Sequence, residues 1–271
     1  MVKVKPILII WYREILRFIR NRPRIISSLV MPFLWLVMFG SGISGSFSFN
    51  NLGISSGFNY VLFLFPGVLG MTVLFTSIFS AISIVRDREF GFLKAILVAP
   101  VPRTSIALGK ILGGATIASI QGFLIVVLLP LVGIPLKINL LLLLPVIFLV
   151  ALMMSAFGLF VAAQIRTTEG FQTVMQFVTL PMFMLSGALF PLRNLPSWMN
   201  FLSKINPASY GVDLIRHTAF YVLQVPEKIQ ANFSIVVFDK LITSFLDILI
   251  VLFLTIIFTI IATKLFAKKE K

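Results

Sequence analysis

Six long stretches of apolar residues, separated by shorter polar segments, dominate the pattern of this chain. Each stretch reaches the length of about 18 residues at which a helix can cross the hydrocarbon core of a bilayer. Backbone inside a bilayer must form all of its hydrogen bonds internally, and a helix does so within one segment. The pattern predicts six transmembrane helices, at about residues 25–42, 60–85, 105–132, 140–163, 171–190 and 241–263. We therefore expect an all-α polytopic membrane protein.

The composition agrees with this fold class, because 59% of the residues are hydrophobic and only 12% are charged. A soluble domain carries about 25% charged residues. The formal net charge of +14 raises the question of nucleic acid, but the basic residues lie between the apolar stretches and form no soluble basic domain. We expect no nucleic-acid partner. One histidine and no cysteine leave no cluster with the usual spacing of zinc ligands, so no metal site is predicted.

Lysine and arginine predict the orientation, since they are enriched in the cytoplasmic segments of membrane proteins. When six spans are drawn, most of the 23 basic residues lie on the same side as the N-terminus. Both termini are therefore predicted to be cytoplasmic. Residues 86–104 then form a cytoplasmic segment, and residues 191–240 form an extracellular region before the last span.

The N-terminal segment, residues 1–24, is predicted to form an amphipathic helix before the first span. Its spacing places Leu8, Trp11, Ile15 and Phe18 on one face and Arg13, Arg17 and Arg20 on another. This distribution is typical of a helix that lies in the membrane interface. The remaining residues, 25–271, form the six-span domain.

The segment 86–104 separates two apolar stretches and opens with a dense group of charges. These are four charges of alternating sign, Arg86, Asp87, Arg88 and Glu89. Apolar side chains at helical spacing follow, namely Phe90, Leu93 and Leu97. Pro100 and Pro102 then end the predicted helix. These charges cannot lie in the lipid core, because they would lose their hydration there. We expect a short amphipathic helix at a membrane surface, whose apolar stripe contacts lipid, the protein's own helices or a partner.

Two short helices are predicted in the region 191–240. The first carries an apolar stripe of Trp198, Phe201, Leu202 and Ile205. Asn206 and Pro207 suit the N-cap and the first position of the second helix. The pair either dips into the outer leaflet as a re-entrant hairpin or lies over the ends of the spans. His217 follows Asp213 by four residues, which favours a simple surface pair.

The chain contains no recognisable energy source. A phosphate-binding loop needs the pattern G-x-x-x-x-G-K-[ST], whereas Gly109 and Lys110 are followed by Ile111. We therefore do not expect this chain to be an enzyme that hydrolyses ATP. The first five predicted spans contain no Asp, Glu or His, which counts against an ion-coupled carrier. Lys110 and Asp247 lie near the ends of spans, where such side chains can reach the interface.

Three stretches of the sequence resemble the permeases of type-2 ATP-binding-cassette (ABC) exporters, and within them the branch for daunorubicin resistance and nodulation-factor export. The first stretch comprises residues 88–94 (REFGFLK) and 99–103 (APVPR), followed by the Gly-Lys pair at 109–110. The other two are residues 11–32 and 186–216. All three occur in the order of the family, and the resemblance extends over nearly the whole chain.

The resemblance implies an architecture and a set of partners. It implies an interfacial connecting helix, a cytoplasmic coupling helix between spans 2 and 3, and short re-entrant helices before span 6. It also implies a homodimer, or a heterodimer with a related permease, on which two copies of a separate ABC ATPase subunit dock. ATP and magnesium would then bind to the ATPase, and this chain would bind no cofactor. The resemblance assigns coupling to the ATPase to Arg86, Asp87, Arg88, Glu89, Phe90, Gly91, Leu93, Lys94, Leu97, Pro100 and Arg103.

The function expected from this resemblance is ATP-driven export across a prokaryotic cell membrane by alternating access. An amphipathic or lipid-like substrate, such as a drug, a lipid or a lipid-linked saccharide, suits the apolar spans, and we assign no residue to substrate binding. The alternatives are an ion-coupled or passive carrier and a non-transporting membrane scaffold. A scaffold would use the charged segment to bind a partner that lacks an ATPase fold.

Overall fold

The computed structural model describes residues 3–43, 60–93, 101–190, 192, 196–226, 236–237, 240–241 and 244–269. Its α-helices are α1 (Val4–Arg20), α2 (Arg22–Ile43), α3 (Tyr60–Ser80), α4 (Ile82–Glu89), α5 (Arg103–Val127), α6 (Leu143–Ala162), α7 (Thr168–Met184), α8 (Ser197–Ile205), α9 (Pro207–Leu223) and α10 (Ser244–Lys269). Two 3₁₀-helices, Leu129–Val132 and Ile138–Leu142, connect α5 to α6. Two short strands, β1 (Val236–Val237) and β2 (Lys240–Leu241), pair antiparallel.

Four helical stretches of the described chain are long and apolar enough to cross a membrane: Val61–Glu89, Arg103–Val127, Ile138–Ala162 and Ser244–Lys268. They correspond to four of the six predicted spans. Helices also occupy the other two predicted positions. In α2 the apolar helical stretch is shorter, Ile25–Met38, and α7 has 17 residues. The prediction of an all-helical membrane protein is therefore confirmed.

Residues 86–89, the first part of the charged segment, continue the helix of the preceding span. A bend at Ala81 joins α3 to α4, and α4 carries the apolar stretch on to Glu89. The helix then stops, because Gly91 has a φ of 77°. This left-handed conformation is readily adopted only by glycine. The predicted amphipathic helix is thus interrupted between Phe90 and Leu93.

The helix α1 packs lengthwise against the first half of α5. Trp11 Nε1 donates a hydrogen bond to Thr116 Oγ1 at 2.9 Å. The close approach depends on Gly109 and Gly113, because a Cβ atom at Gly113 would lie 2.8 Å from Glu14 Cβ. Of the predicted apolar face of α1, Phe18 is buried and Leu8 is exposed. The helix therefore uses a different buried stripe from the predicted one, as described below.

The helix α9 caps the C-terminal end of α7 with its side chains. Asn206 Nδ2 donates to the carbonyl of Met182 at 2.7 Å, and Ser209 Oγ donates to that of Leu185 at 3.1 Å. Arg216 donates to the carbonyl of Gly187 just beyond. The last carbonyls of a helix have no partner within it, so these side chains stabilise the end of α7.

The two predicted helices of the outer region are present as α8 and α9. The predicted cap of α9 is confirmed, because Asn206 Oδ1 accepts a hydrogen bond from the backbone N–H of Ala208 at 3.0 Å and Pro207 follows it. The apolar stripe of α8 is exposed, including Trp198 and Phe201. Such a face suits contact with lipid or with another protein chain.

The predicted surface pair of Asp213 and His217 is wrong, and Lys110 and Asp247 do not reach the surface of the protein either. Lys110, Asp213, His217 and Asp247 are all buried. Lys110 pairs with carboxylates inside the protein, and His217 Nδ1 lies 3.3 Å from Asp247 Oδ2. Burial of such groups requires partners of opposite charge, and for Lys110, His217 and Asp247 these partners come from other helices.

Candidate functional site

A buried ion cluster lies where α4 meets α1 and α5. At its centre is Asp87, in the last turn of α4, with 1% of its surface exposed. Three basic side chains surround its carboxylate. Lys110 Nζ lies 2.7 Å and Arg13 Nη2 lies 2.6 Å from Oδ2, and Arg17 Nη1 lies 3.3 Å from Oδ1. Glu14 completes this set of five residues, which we call the ion cluster.

Lys110 holds the ion cluster together with its three N–H donors. Its ammonium group contacts Asp87 Oδ2, Glu14 Oε1 at 2.9 Å and Ser83 Oγ at 2.9 Å. An ammonium group has three donors, so all of them are used. Burial by itself raises the pKa of Glu14, but Lys110 and Arg13 beside it hold this pKa below its usual value. Glu14 is therefore ionised and paired at neutral pH.

The sequence of α1 explains why Glu14 lies inside. The buried residues of this helix are Ile10, Glu14 and Phe18, which are spaced four apart and so share one face. That face lies on the glycines of α5. The short distance between the two backbones lets the Glu14 side chain reach Lys110 directly.

Arg88 and Glu89 hold the connection between α6 and α7 from both sides. Arg88 Nη1 donates to the carbonyls of Ala162 at 3.1 Å and Ile165 at 2.6 Å, at the C-terminal end of α6. Glu89 Oε2 accepts from the backbone N–H of Thr168 at 3.0 Å and from its hydroxyl, at the start of α7. A cation at a helix C-terminus and an anion at an N-terminus each interact favourably with the helix dipole.

A further contact joins the next segment to the last helix. Arg103 Nη1, at the start of α5, donates to the carbonyl of Ala267 in α10 at 3.3 Å. The charged end of α4 and the start of α5 therefore contact α1, α6, α7 and α10.

The predicted coupling residues separate into an inner and an outer group. Asp87, Arg88 and the exposed Glu89 contact other helices through their side chains. Arg86 and Phe90 are also exposed, Phe90 at 66%. Leu93 is only 2% exposed. Its position differs from the expected one, because a buried side chain is not available to insert into a partner.

The surface next to Gly91 has another exposed aromatic residue, Phe92 at 63%. The predicted coupling residues Lys94, Leu97 and Pro100 lie outside the described residues.

Sequence reasoning missed four members of the ion cluster as functional residues: Arg13, Glu14, Arg17 and Lys110. One signal for them was available. Glu14 is the single acidic residue among the first 24, and it lies four positions from two apolar residues that share its face. An acid in an otherwise basic amphipathic helix indicates an internal partner. The partner itself, Asp87 with its cations, was not visible in local spacing.

These features define a multi-pass membrane protein in which a surface-exposed helix end is connected by buried ion pairs to several other helices. A family model described as "ABC-2 type transporter" matches residues 5–220. The chain belongs to this family, and the resemblance seen in the sequence is confirmed. Permeases of this family generally pair with an ABC ATPase subunit.

Individual relatives agree with the family assignment. The chain is 33% identical over 204 residues to the "Putative transport permease ycf38" of Cyanophora paradoxa, covering 73% of this chain and 69% of the relative. It is 31% identical to "Nodulation protein J" of Rhizobium meliloti (strain 1021), covering 71% and 72%. It is 27% identical to "Inner membrane transport permease YadH" of Escherichia coli (strain K12), covering 80% and 84%. Two of these relatives are named transport permeases, and none is named as an enzyme.

Proposed function

We propose that this chain is the membrane subunit of an ATP-driven exporter and that a separate ABC ATPase docks at the end of α4. The observation that carries this proposal is the junction around Asp87. Exposed Phe90 and Phe92 lie beside a helix end whose charges are tied to α1, α5, α6 and α7. Exposed aromatic groups are favoured contacts of a partner, and the buried ion pairs link that contact to the other helices.

The proposed mechanism is alternating access. Binding of ATP to a closed pair of ATPases supplies the differential free energy that shifts the permease between two states. The ATPase moves Phe90 and Phe92, and α4 moves with them. Because Asp87 is paired with Lys110 and Arg13, α1 and α5 follow α4 as one unit. Arg88 and Glu89 pass the same displacement to the connection between α6 and α7.

We further propose six spans, with α2 and α7 as the first and fifth, and with both termini in the cytoplasm. The distribution of Lys and Arg supports this orientation. The end of α4 would then face the cytoplasm, where ATP is available. The α8–α9 hairpin would lie on the outer side, and the exposed stripe of α8 would contact the outer leaflet.

The proposed dimer seam runs along α3 and α7. An open cavity of about 530 Å³ lies there. Its lining residues are Phe75, Phe79, Gln176, Phe177, Thr179, Leu180 and Pro181. Phe177 is 78% exposed, and Gln172 and Gln176 are also exposed on α7. Apolar walls with an amide group suit an amphipathic or lipid-like substrate, and a second copy of this chain would close the cavity.

The topology has a direct test, because the chain contains no cysteine. We expect Asn200→Cys, on the polar side of α8, to react with a membrane-impermeant maleimide added to intact cells. Gln164→Cys, between α6 and α7, should react only after the membrane is opened. The reverse pattern of labelling would contradict the proposed orientation, and the unmodified chain serves as the blank.

The partner is tested by purification of the tagged chain in a mild detergent, followed by mass spectrometry and an ATPase assay. We expect a separate chain with a phosphate-binding loop to co-purify at a one-to-one ratio, with measurable ATP turnover. An ion-coupled carrier would purify without ATPase activity. A scaffold would co-purify a partner that has no ATPase fold, so either of these results would remove the proposal.

A further inference from the structure

Three ionisable side chains meet in the interior of the described chain, away from the ion cluster. Asp213 and His217 lie four positions apart on α9, and Asp247 lies in the first turn of α10. One ligand atom of each lies within 4.8 Å of the others, and all three residues are buried. His217 Nδ1 and Asp247 Oδ2 are 3.3 Å apart.

The carboxylate of Asp247 points to a missing ligand. Its surface is 0% exposed, and among the described residues no hydrogen bond of regular geometry reaches either oxygen; the contact with His217 Nδ1 at 3.3 Å is long. Its closest basic group is the His217 imidazole. A buried carboxylate requires hydrogen bonds or a cation close to both oxygens. The imidazole approaches only one side of this carboxylate, which leaves coordination capacity on Oδ1.

The local charge also favours a bound cation. The buried cation on the same helix is Arg216, which also donates to the Gly187 carbonyl and whose guanidinium lies 5.1 Å from the centre of the Phe63 ring. A metal-bound imidazole is neutral, so in the metal-bound site two aspartates and one arginine would carry a net negative charge. A cation bound between the aspartates would neutralise it.

We propose that Asp213, His217 and Asp247 form a binding site for a divalent transition-metal ion of the zinc type. One imidazole nitrogen and two carboxylate oxygens are ligands that Zn²⁺ accepts, with bonds of about 2.0 to 2.2 Å. Two ligands of one such ion lie at most about 4.4 Å apart. Small side-chain rotations therefore bring all three atoms within reach of one ion, and a water molecule can complete four-coordination.

The metal ion would connect the outer hairpin to the last helix. The helix α9 already caps the end of α7 through Asn206, Ser209 and Arg216. A metal bridge from α9 to Asp247 would fix α10 to the same unit. This inference does not depend on the proposed ATPase partner, because it concerns the opposite end of the helices.

The composition of the chain makes the test specific, since it has one histidine and no cysteine. The full-length protein is purified with a histidine-free affinity tag, stripped with a chelator and titrated with Zn²⁺ by calorimetry. Zinc-edge X-ray absorption then reports the ligands. We expect one Zn²⁺ per chain with micromolar affinity, an imidazole contribution that only His217 can supply, and a rise in Tm on binding.

Variants assign the ligands. We expect His217→Ala and Asp247→Asn each to weaken Zn²⁺ binding by at least about tenfold. Mutation of residues that only hydrogen-bond to a metal ligand already lowers metal affinity by about tenfold or more. Glu169→Gln, an exposed acidic residue in the first turn of α7, should bind as the unmodified chain does. Binding only at millimolar zinc, or an absorption spectrum without imidazole, would overturn the proposal. The spectrum of the unmodified chain decides the matter even if a variant fails to fold.

Discussion

Lys110→Ala is expected to destabilise the folded protein by about 3 to 5 kcal/mol, which is the typical effect of removing one partner from a buried ion pair. The Lys110 ammonium contacts two buried carboxylates, Glu14 and Asp87, and both would lose that cation. The thermal unfolding midpoint of the purified chain in detergent measures the change. A fall of about 10 °C corresponds to this loss.

A second pair of variants separates charge imbalance from lost packing. Asp87→Asn combined with Lys110→Met removes a negative and a positive charge together. We expect this double variant to be more stable than Lys110→Ala, because it leaves fewer uncompensated buried charges. Lys264→Ala serves as the control, since this lysine of α10 is exposed. If Lys110→Ala melted within about 1 °C of the unmodified chain, the ion cluster would not hold α4 in place.

The same substitution is informative about coupling. At permissive temperature, Lys110→Ala should retain the ATPase subunit, because the exposed surface at Phe90 and Phe92 is unchanged. Transport should nevertheless fall, since α4 would move without α1 and α5. Unchanged transport per ATP hydrolysed would show that the buried ion pairs do not transmit the movement.

Phe90→Asp combined with Phe92→Asp is expected to abolish binding of the proposed ATPase subunit. A central aromatic residue of an interface contributes about 2 kcal/mol or more, so losing one such contact lowers affinity by at least about thirtyfold. The amount of ATPase that co-purifies with the tagged chain, and the ATP turnover of the membrane fraction, measure the effect. The Tm of the permease itself should remain unchanged, because both side chains are exposed.

A matched control tests whether the position matters. Tyr221→Asp changes an exposed aromatic residue near the end of α9, which is distant from the junction in the proposed topology. We expect this variant to retain the ATPase.

The variant Leu93→Asp changes a buried residue. It should therefore lower the stability of the permease as well as its binding of the ATPase subunit. Normal ATPase binding by the Phe90 and Phe92 double variant would place the docking surface elsewhere.

The charged segment 86–104 shows which structural features the local sequence predicts and which it does not. Its spacing predicts that this stretch lies outside the membrane, because charges between two apolar stretches must leave the lipid core. It did not identify which charges point inward. Arg86 and Asp87 are neighbours on one helix, and the first is exposed while the second is buried. The packing of α1 on α5 decides this difference, since it brings Arg13 to Asp87 across 74 positions of sequence.

The sequence by itself determined the class of this protein, four of its spans and its family. Long apolar stretches and motif order are local properties, and they persist whatever the helices contact. Only the tertiary structure decided the ion cluster, the capping of α7 by α9 and the meeting of Asp213, His217 and Asp247. These features join residues that are distant in the chain, and their positions depend on which helix faces pack together. Burial then makes each of them depend on partners that no local pattern specifies.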